Sequence, residues 1–136
     1  MIITLTIRLG SEWSADIEIE DESVLEHLHW AIQKAVNFDN DHLYEFYVAR
    51  HVRAYNRVRY DDENGGLYET KLANLFPLPP KQQLFYLFDY GDSWLFRVSK
   101  SRKRPQNPAA GVKYPRVVKE TGKKPIQYEP FDEDFD

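Results

Sequence analysis

From Ile2 to Leu9 the chain alternates strictly. Ile3, Leu5, Ile7 and Leu9 fall on one side, and Thr4, Thr6 and Arg8 on the other, the period of a half-buried β-strand. After the turn-like "GSEW", the stretch "SADIEIE" repeats the alternation, with Ala15, Ile17 and Ile19 set against Asp16, Glu18 and Glu20. The two predict an amphipathic hairpin with one buried and one solvated face. The period then changes. In "DESVLEHLHWAIQKAVNF", Leu25, Leu28, Ile32, Ala35 and Val36 recur at helical spacing, so a helix is predicted with its apolar stripe packed on the hairpin. Ser23 and Glu26 have the spacing of a capping box, and Asp21 and Glu22 suit the positive end of a helix.

Further on, Leu43–Val48 predicts a strand, the Arg-rich continuation through Arg59 either extends it or forms a loop, and "DDENGG" marks a turn. "YETKLANLF" predicts a short helix capped by Thr70 and ended by Pro77, Pro79 and Pro80. "LFYLFDYGDSWLFRV" predicts a hairpin with Gly91–Asp92 at its two-residue turn. In that register Phe85, Leu87, Asp89, Trp94, Phe96 and Val98 share one face, and Tyr86, Phe88, Tyr90, Ser93, Leu95 and Arg97 the other. Both faces are largely apolar, which predicts a central place in the sheet. Asp89 then lands on the more apolar face, where a carboxylate must find donors. Turn backbone N–H groups or the Trp94 indole would supply them; a pocket acid or metal ligand is the sharper alternative.

The expected architecture is α+β. A ββα start is followed by a strand, a short helix and the aromatic hairpin, forming one mostly antiparallel sheet with a helix on one face. A chain of 136 residues fits one domain, expected over 1–124, with 98–124 an extended basic segment on its surface and 125–136 an acidic tail.

Charge changes the picture more than composition does. The net charge of −4 conceals a segment, 97–124, with ten Lys and Arg against Glu120 alone. The absence of cysteine excludes disulfides and thiolate metal sites and points to the cytoplasm. "MIITLTIRLG" is neither a signal peptide nor a membrane span.

The combination of "LEHLHWAIQKAVNFDNDHLYEF" with "FYLFDYGDSWLFRV" resembles the plasmid pRiA ORF-three-like family, also called the insertion-element passenger TnpR family. The matching positions are Leu28, His29, Ile32, Gln33, His42 and Leu43, then Asp89, Tyr90, Gly91, Asp92 and Trp94, and the resemblance covers roughly Ile2 to Val98. It implies an α+β fold and carriage on bacterial plasmids or mobile elements, with no established activity. Many members follow the Trp with Glu-His, where this chain has Leu95 and Phe96, so chemistry assigned to that acid–histidine pair is absent here. Longer members continue into a Pro- and Gly-rich acidic segment, where this chain has "YPRVVKETGKKPIQY".

Little else points to catalysis. No G-x-S-x-G motif, triad-like serine, phosphate loop or serine recombinase arrangement is present. His27 and His29, two apart on a helix, do not share a face. His29, His42 and Asp89 form the thinkable metal set of a metal-dependent hydrolase, against the plainer reading that the two histidines bond locally. The basic segment is the stronger cue. Lys100, Arg102, Lys103, Arg104, Lys113, Arg116, Lys119, Lys123 and Lys124 would contact phosphates, with Tyr114 as a base stacker. Arg50, Arg53, Arg57 and Arg59 could extend that footprint. The competing reading is that the cations fold back onto the acidic body or tail. The expectation is a non-catalytic accessory domain without cofactor, binding nucleic acid or a mobile-element protein; the alternatives are a metal-dependent hydrolase and a protein–protein adaptor.

Overall fold

The computed structural model describes residues 1–128; 129–136, where most of the expected acidic tail falls, lie outside the described residues. The two alternating segments form β1 (Ile2–Leu9) and β2 (Trp13–Glu20), antiparallel with Leu5 opposite Ile17. Then come α1 (Leu25–Val36), β3 (Tyr44–Ala49), β4 (Val58–Tyr60), the one-turn helices α2 (Gly66–Glu69) and α3 (Leu72–Leu75), β5 (Gln83–Phe88), β6 (Trp94–Lys100) and β7 (Arg116–Gly122). Among the described residues the strands make one antiparallel sheet in the order β4-β3-β5-β6-β1-β2-β7. This is the expected α+β architecture. The β5–β6 hairpin is central, as its two apolar faces require. Among the described residues no helix is long and apolar enough to cross a membrane.

The stripe Leu25, Leu28, Ile32, Ala35 and Val36 of α1 is buried in the main core with Leu5, Ile7, Ile17 and Ile19 of the first hairpin and Tyr86, Phe88 and Phe96 of the central one. Each such fully buried aliphatic or aromatic side chain contributes roughly 1.5–3 kcal/mol from removal of its surface from water. The opposite face of the sheet holds a smaller cluster of Tyr47, Ala49, Phe85 and Ala54. The Arg-rich continuation is a loop folded over that cluster. Tyr47 Oη donates to the Val52 carbonyl, and the Arg57 guanidinium lies 4.2 Å from the Tyr47 ring centroid.

Four local expectations change. The N-cap of α1 is Val24, with no side-chain cap. Residues 21–25 instead run beside 70–73, where Leu25 N–H donates to Thr70 O and Leu72 N–H to Ser23 O, so backbone carbonyls satisfy the helix start in place of the Ser23 hydroxyl. The single helix capped by Thr70 is two helical turns, with Thr70 the C-cap of α2 and Lys71 the N-cap of α3.

The central hairpin is displaced by one residue from the predicted register. Phe88 faces Trp94, Tyr86 faces Phe96 and Leu84 faces Val98. Gly91 is not in the left-handed region; Asp89 (φ 63°) and Ser93 (φ 55°) are, and they bracket a five-residue connection closed by Ser93 N–H to Asp89 O. With Asp89 outside the strand, Tyr86 and Phe88 join Trp94, Phe96 and Val98 in the main core, while Phe85 and Leu87 turn to the loop-covered face. A one-residue slip exchanges faces because the strand period is two.

The basic segment, finally, is not only a surface strip. Its second half is the edge strand β7, paired with β2 from Trp13 opposite Gly122 to Glu18 opposite Arg116. Its alternation carries no apolar signal, since all seven residues are exposed.

Candidate functional site

His29 is buried on α1, and its two ring nitrogens are both engaged. Gln33 Nε2 donates to Tyr86 Oη (2.9 Å), Tyr86 Oη lies 2.5 Å from His29 Nδ1, and His29 Nε2 lies 2.5 Å from Asn40 Oδ1. Asn40 Oδ1 can only accept, so Nε2 carries the proton and Nδ1 accepts from the tyrosine hydroxyl. While Gln33 Oε1, at the other end of this hydrogen-bond chain, is buried without a partner, a neutral imidazole satisfies both ring nitrogens. Burial pushes its pKa down to about 4, against the opposing pull of the Asn40 hydrogen bond. The ring also stacks on Tyr44, centroids 3.5 Å apart and nearly parallel.

Asp89 and His42 meet close by, at the same end of β3 and β5, where Phe88 lies against both His29 and His42. Asp89 Oδ1 accepts the Gly91 and Asp92 N–H groups at 3.1 and 3.3 Å. The turn backbone therefore satisfies it, and the Trp94 indole nitrogen does not: that atom is buried without a partner. Asp89 Oδ2 faces His42 Nε2 at 3.4 Å, and Asp41 Oδ1 is 3.5 Å from the same nitrogen. Tyr128 closes the group, with its hydroxyl 2.8 Å from His42 Nε2 and donating to Asp41 Oδ2 at 2.7 Å. That bond holds the Asp41 carboxyl below its usual range and pushes the Tyr128 hydroxyl up to about 12. Gln127 adds contacts to Asp39 N and Asp41 Oδ1, so the start of the expected tail is docked here. The proposed metal set does not assemble: His29 is spent on Asn40 and Tyr86. Among the described residues no group of three or more His, Asp or Glu side chains is placed to hold a metal ion.

The basic residues divide. Arg116 and Lys103 reach the buried carboxylate of Glu18, at 2.8 and 3.9 Å, and Lys124 lies 3.9 Å from Glu120, which also accepts the Trp13 indole N–H. Arg116 and Lys103 thus follow the reading in which the cations fold back on the acidic body, while Lys124 pairs within the basic segment itself. Tyr114 is half-buried, its hydroxyl accepting the Ala109 N–H and the Arg116 guanidinium 5.8 Å from its ring centroid. Arg104, Lys113, Lys119 and Lys123 are exposed. Of the four added arginines, Arg57 covers Tyr47 and Arg59 is bidentate on buried Glu45, while Arg50 and Arg53 stay exposed.

Lys100 and Arg102 have a different setting. β6 outruns β5, because Leu84 pairs with Val98 while Ser99 and Lys100 pair only with β1. In the space this leaves lies a groove of about 510 Å³, lined by Arg8, Arg97, Lys100 and Arg102 around an apolar floor of Phe76, Pro77, Leu78 and Val98. Arg8 stands directly opposite Arg97 across the β1–β6 ladder. Arg97 Nη1 donates to Gln83 Oε1 at 3.2 Å. Among the described residues no carboxylate is within ion-pair distance of any of these four cations. Arg8 was legible in the sequence as the charge on the polar face of the first strand; its meeting with Arg97 depends on sheet order.

Residues 4–128 match the family described as plasmid pRiA4b ORF-3-like protein. The chain belongs to that family. Among solved structures, a protein of unknown function from Methanosarcina mazei Go1 is similar, with a TM-score of 0.70 at 22% identity over 88% of this chain and 68% of that one. That likeness is one of fold. No curated protein matches the chain. Within this pRiA4b ORF-3-like protein the residues that carried the resemblance now have places. His29 and Gln33 bind Tyr86 in the core, while His42 and Asp89 lie together where the central hairpin meets the loop before β3. Gly91 and Asp92 give their N–H groups to Asp89, and Trp94 fills the core beside Phe38.

Proposed function

We propose that this plasmid pRiA4b ORF-3-like protein is a non-catalytic accessory domain of a plasmid or mobile element, and that it binds nucleic acid. The observation that carries the reading is the groove beside the β1–β6 ladder. Four cations surround an apolar floor there, and two of them, Arg8 and Arg97, are like charges set directly opposite. Such a pairing costs stability in an isolated sheet, and phosphates would turn that cost into affinity. The footprint moves from the whole strip 97–124 to its first part, Lys100 and Arg102, joined by Arg8 and Arg97. Arg104, Lys113, Lys119 and Lys123 would add outlying contacts, and Arg116 and Lys103 would hold β7 and the loop before it to Glu18 of the body.

The test is electrophoretic mobility of labelled oligonucleotides with the full chain and with Lys100→Glu/Arg102→Glu, at low and moderate salt. Removing everything after Val98 would be a poor variant, because it strips β7 from β2 and uncovers Trp13, which is 2% exposed. Retardation that weakens with salt and is lost in the double variant supports the reading. Equal retardation by both proteins, or none, contradicts it.

A second reading has its own observation. Asp41, Asp62, Leu43, Leu67 and Tyr68 line an acidic, partly apolar cleft of about 460 Å³. A basic protein segment would fit it, and a pull-down complex that survives moderate salt would favour an adaptor.

A further inference from the structure

The arginine pair is shared by two cavities. On one side lies the groove floored by Phe76, Pro77 and Leu78; on the other, a cavity of about 370 Å³ formed by Gly10, Val52, Phe85 and Leu95, with Arg8 and Arg97 lining both. The sequence apolar hollow, paired cations, apolar hollow has the order of base, phosphate, base along one nucleic-acid strand. We infer that the ligand of this face is single-stranded, with two successive unstacked bases seated in the two hollows and the phosphate between them held by Arg8 and Arg97. This deepens the nucleic-acid reading and rests on it.

The chemistry favours a single strand over a duplex. A duplex keeps its bases stacked and offers a protein only phosphates and base edges. It cannot place a base face against Phe76 and Leu78 or against Leu95. An unpaired strand can, and base contact with apolar and aromatic side chains is tolerant of sequence because every base has a π-face. Lys100 and Arg102, which also line the larger groove, are then available for the next phosphate along the strand. Sequence preference is expected to be weak.

The experiment is fluorescence anisotropy of the full chain with three labelled probes: a single-stranded 12-mer, the same strand in a duplex, and a 12-mer of abasic sites with the same phosphates. The expected order is single strand tightest, by about tenfold or more over both others, corresponding to one good base contact. Leu78→Ala, which removes apolar contact without adding a charge among the groove's cations, should lower affinity for the single strand and leave the abasic probe nearly unchanged. A parallel thermal melt verifies that the variant is folded. Equal binding of single strand and duplex, or of intact and abasic strands, overturns the two-hollow arrangement. If in that case Arg97→Glu still abolishes binding, the broader nucleic-acid reading stands without it. If no probe binds the wild type, both fall together.

Discussion

Arg8 on β1 and Arg97 on β6 stand directly opposite each other, two guanidinium groups across one ladder with no acidic partner within ion-pair distance among the described residues. Like charges in cross-strand register destabilise a sheet by a few tenths of a kcal/mol to about 1 kcal/mol. Arg97→Gln should therefore make the free protein slightly more stable, by roughly 0.5 kcal/mol at low salt, while weakening oligonucleotide binding. Urea unfolding beside a binding titration checks both halves. A variant that loses stability and keeps affinity would make the pair merely structural.

His29 predicts a pH dependence. Its pKa falls from 6.5 to about 4 on folding, so between those values the unfolded chain binds the extra proton. Stability from this group is present above pH 6.5 and is lost as pH falls toward 4, by about 3 kcal/mol in all. His29→Gln should be less stable than wild type at pH 7, and the gap should close by pH 4.5. A gap that stays constant in denaturant titrations at the two pH values would contradict the neutral, buried imidazole.

Asp89 has left-handed backbone geometry and caps two N–H groups of the central turn. Asn tolerates that conformation and keeps an acceptor; Ala does neither. Asp89→Asn should cost under about 1 kcal/mol and Asp89→Ala about 2 kcal/mol, read from thermal midpoints. Equal losses would mean that the contact to His42, not the turn, is what matters.

Gly122 ends β7 at φ 86°, and a Cβ there would stand 2.1 Å from the Glu12 carbonyl oxygen. Gly122→Ala should loosen the edge strand at a cost of roughly 2 kcal/mol. Hydrogen exchange should quicken at the β7 amides and leave β5 unchanged. Unchanged protection along β7 would contradict its pairing with β2.

The elements that the sequence disclosed best were those with one wet face. β1, β2 and α1 show clean periods because their polar sides meet solvent, and their buried stripes are the ones predicted. The central hairpin is apolar on both faces, so its pattern locates the element without setting its register, and the choice fell to a turn whose left-handed residues are Asp89 and Ser93 rather than Gly91. β7 left no apolar trace because it is held by edge pairing, Glu18 and Glu120. The charge asymmetry marked 97–124 only as a block. It could not separate Arg116, which is spent on Glu18, from Lys100, which is not, since that depends on which carboxylates the sheet brings alongside. Tyr86, Asn40 and Arg8 were missed as site or network residues for the same reason: their partners are 57, 11 and 89 positions away.

The salt dependence of oligonucleotide affinity tests the central claim most directly. Four engaged cations on a single strand predict a slope of log affinity against log salt near about −3, reduced by about 0.7 in Arg97→Ala. A slope near zero, or one that Arg97→Ala leaves untouched, would contradict a phosphate-binding groove between Arg8, Arg97, Lys100 and Arg102.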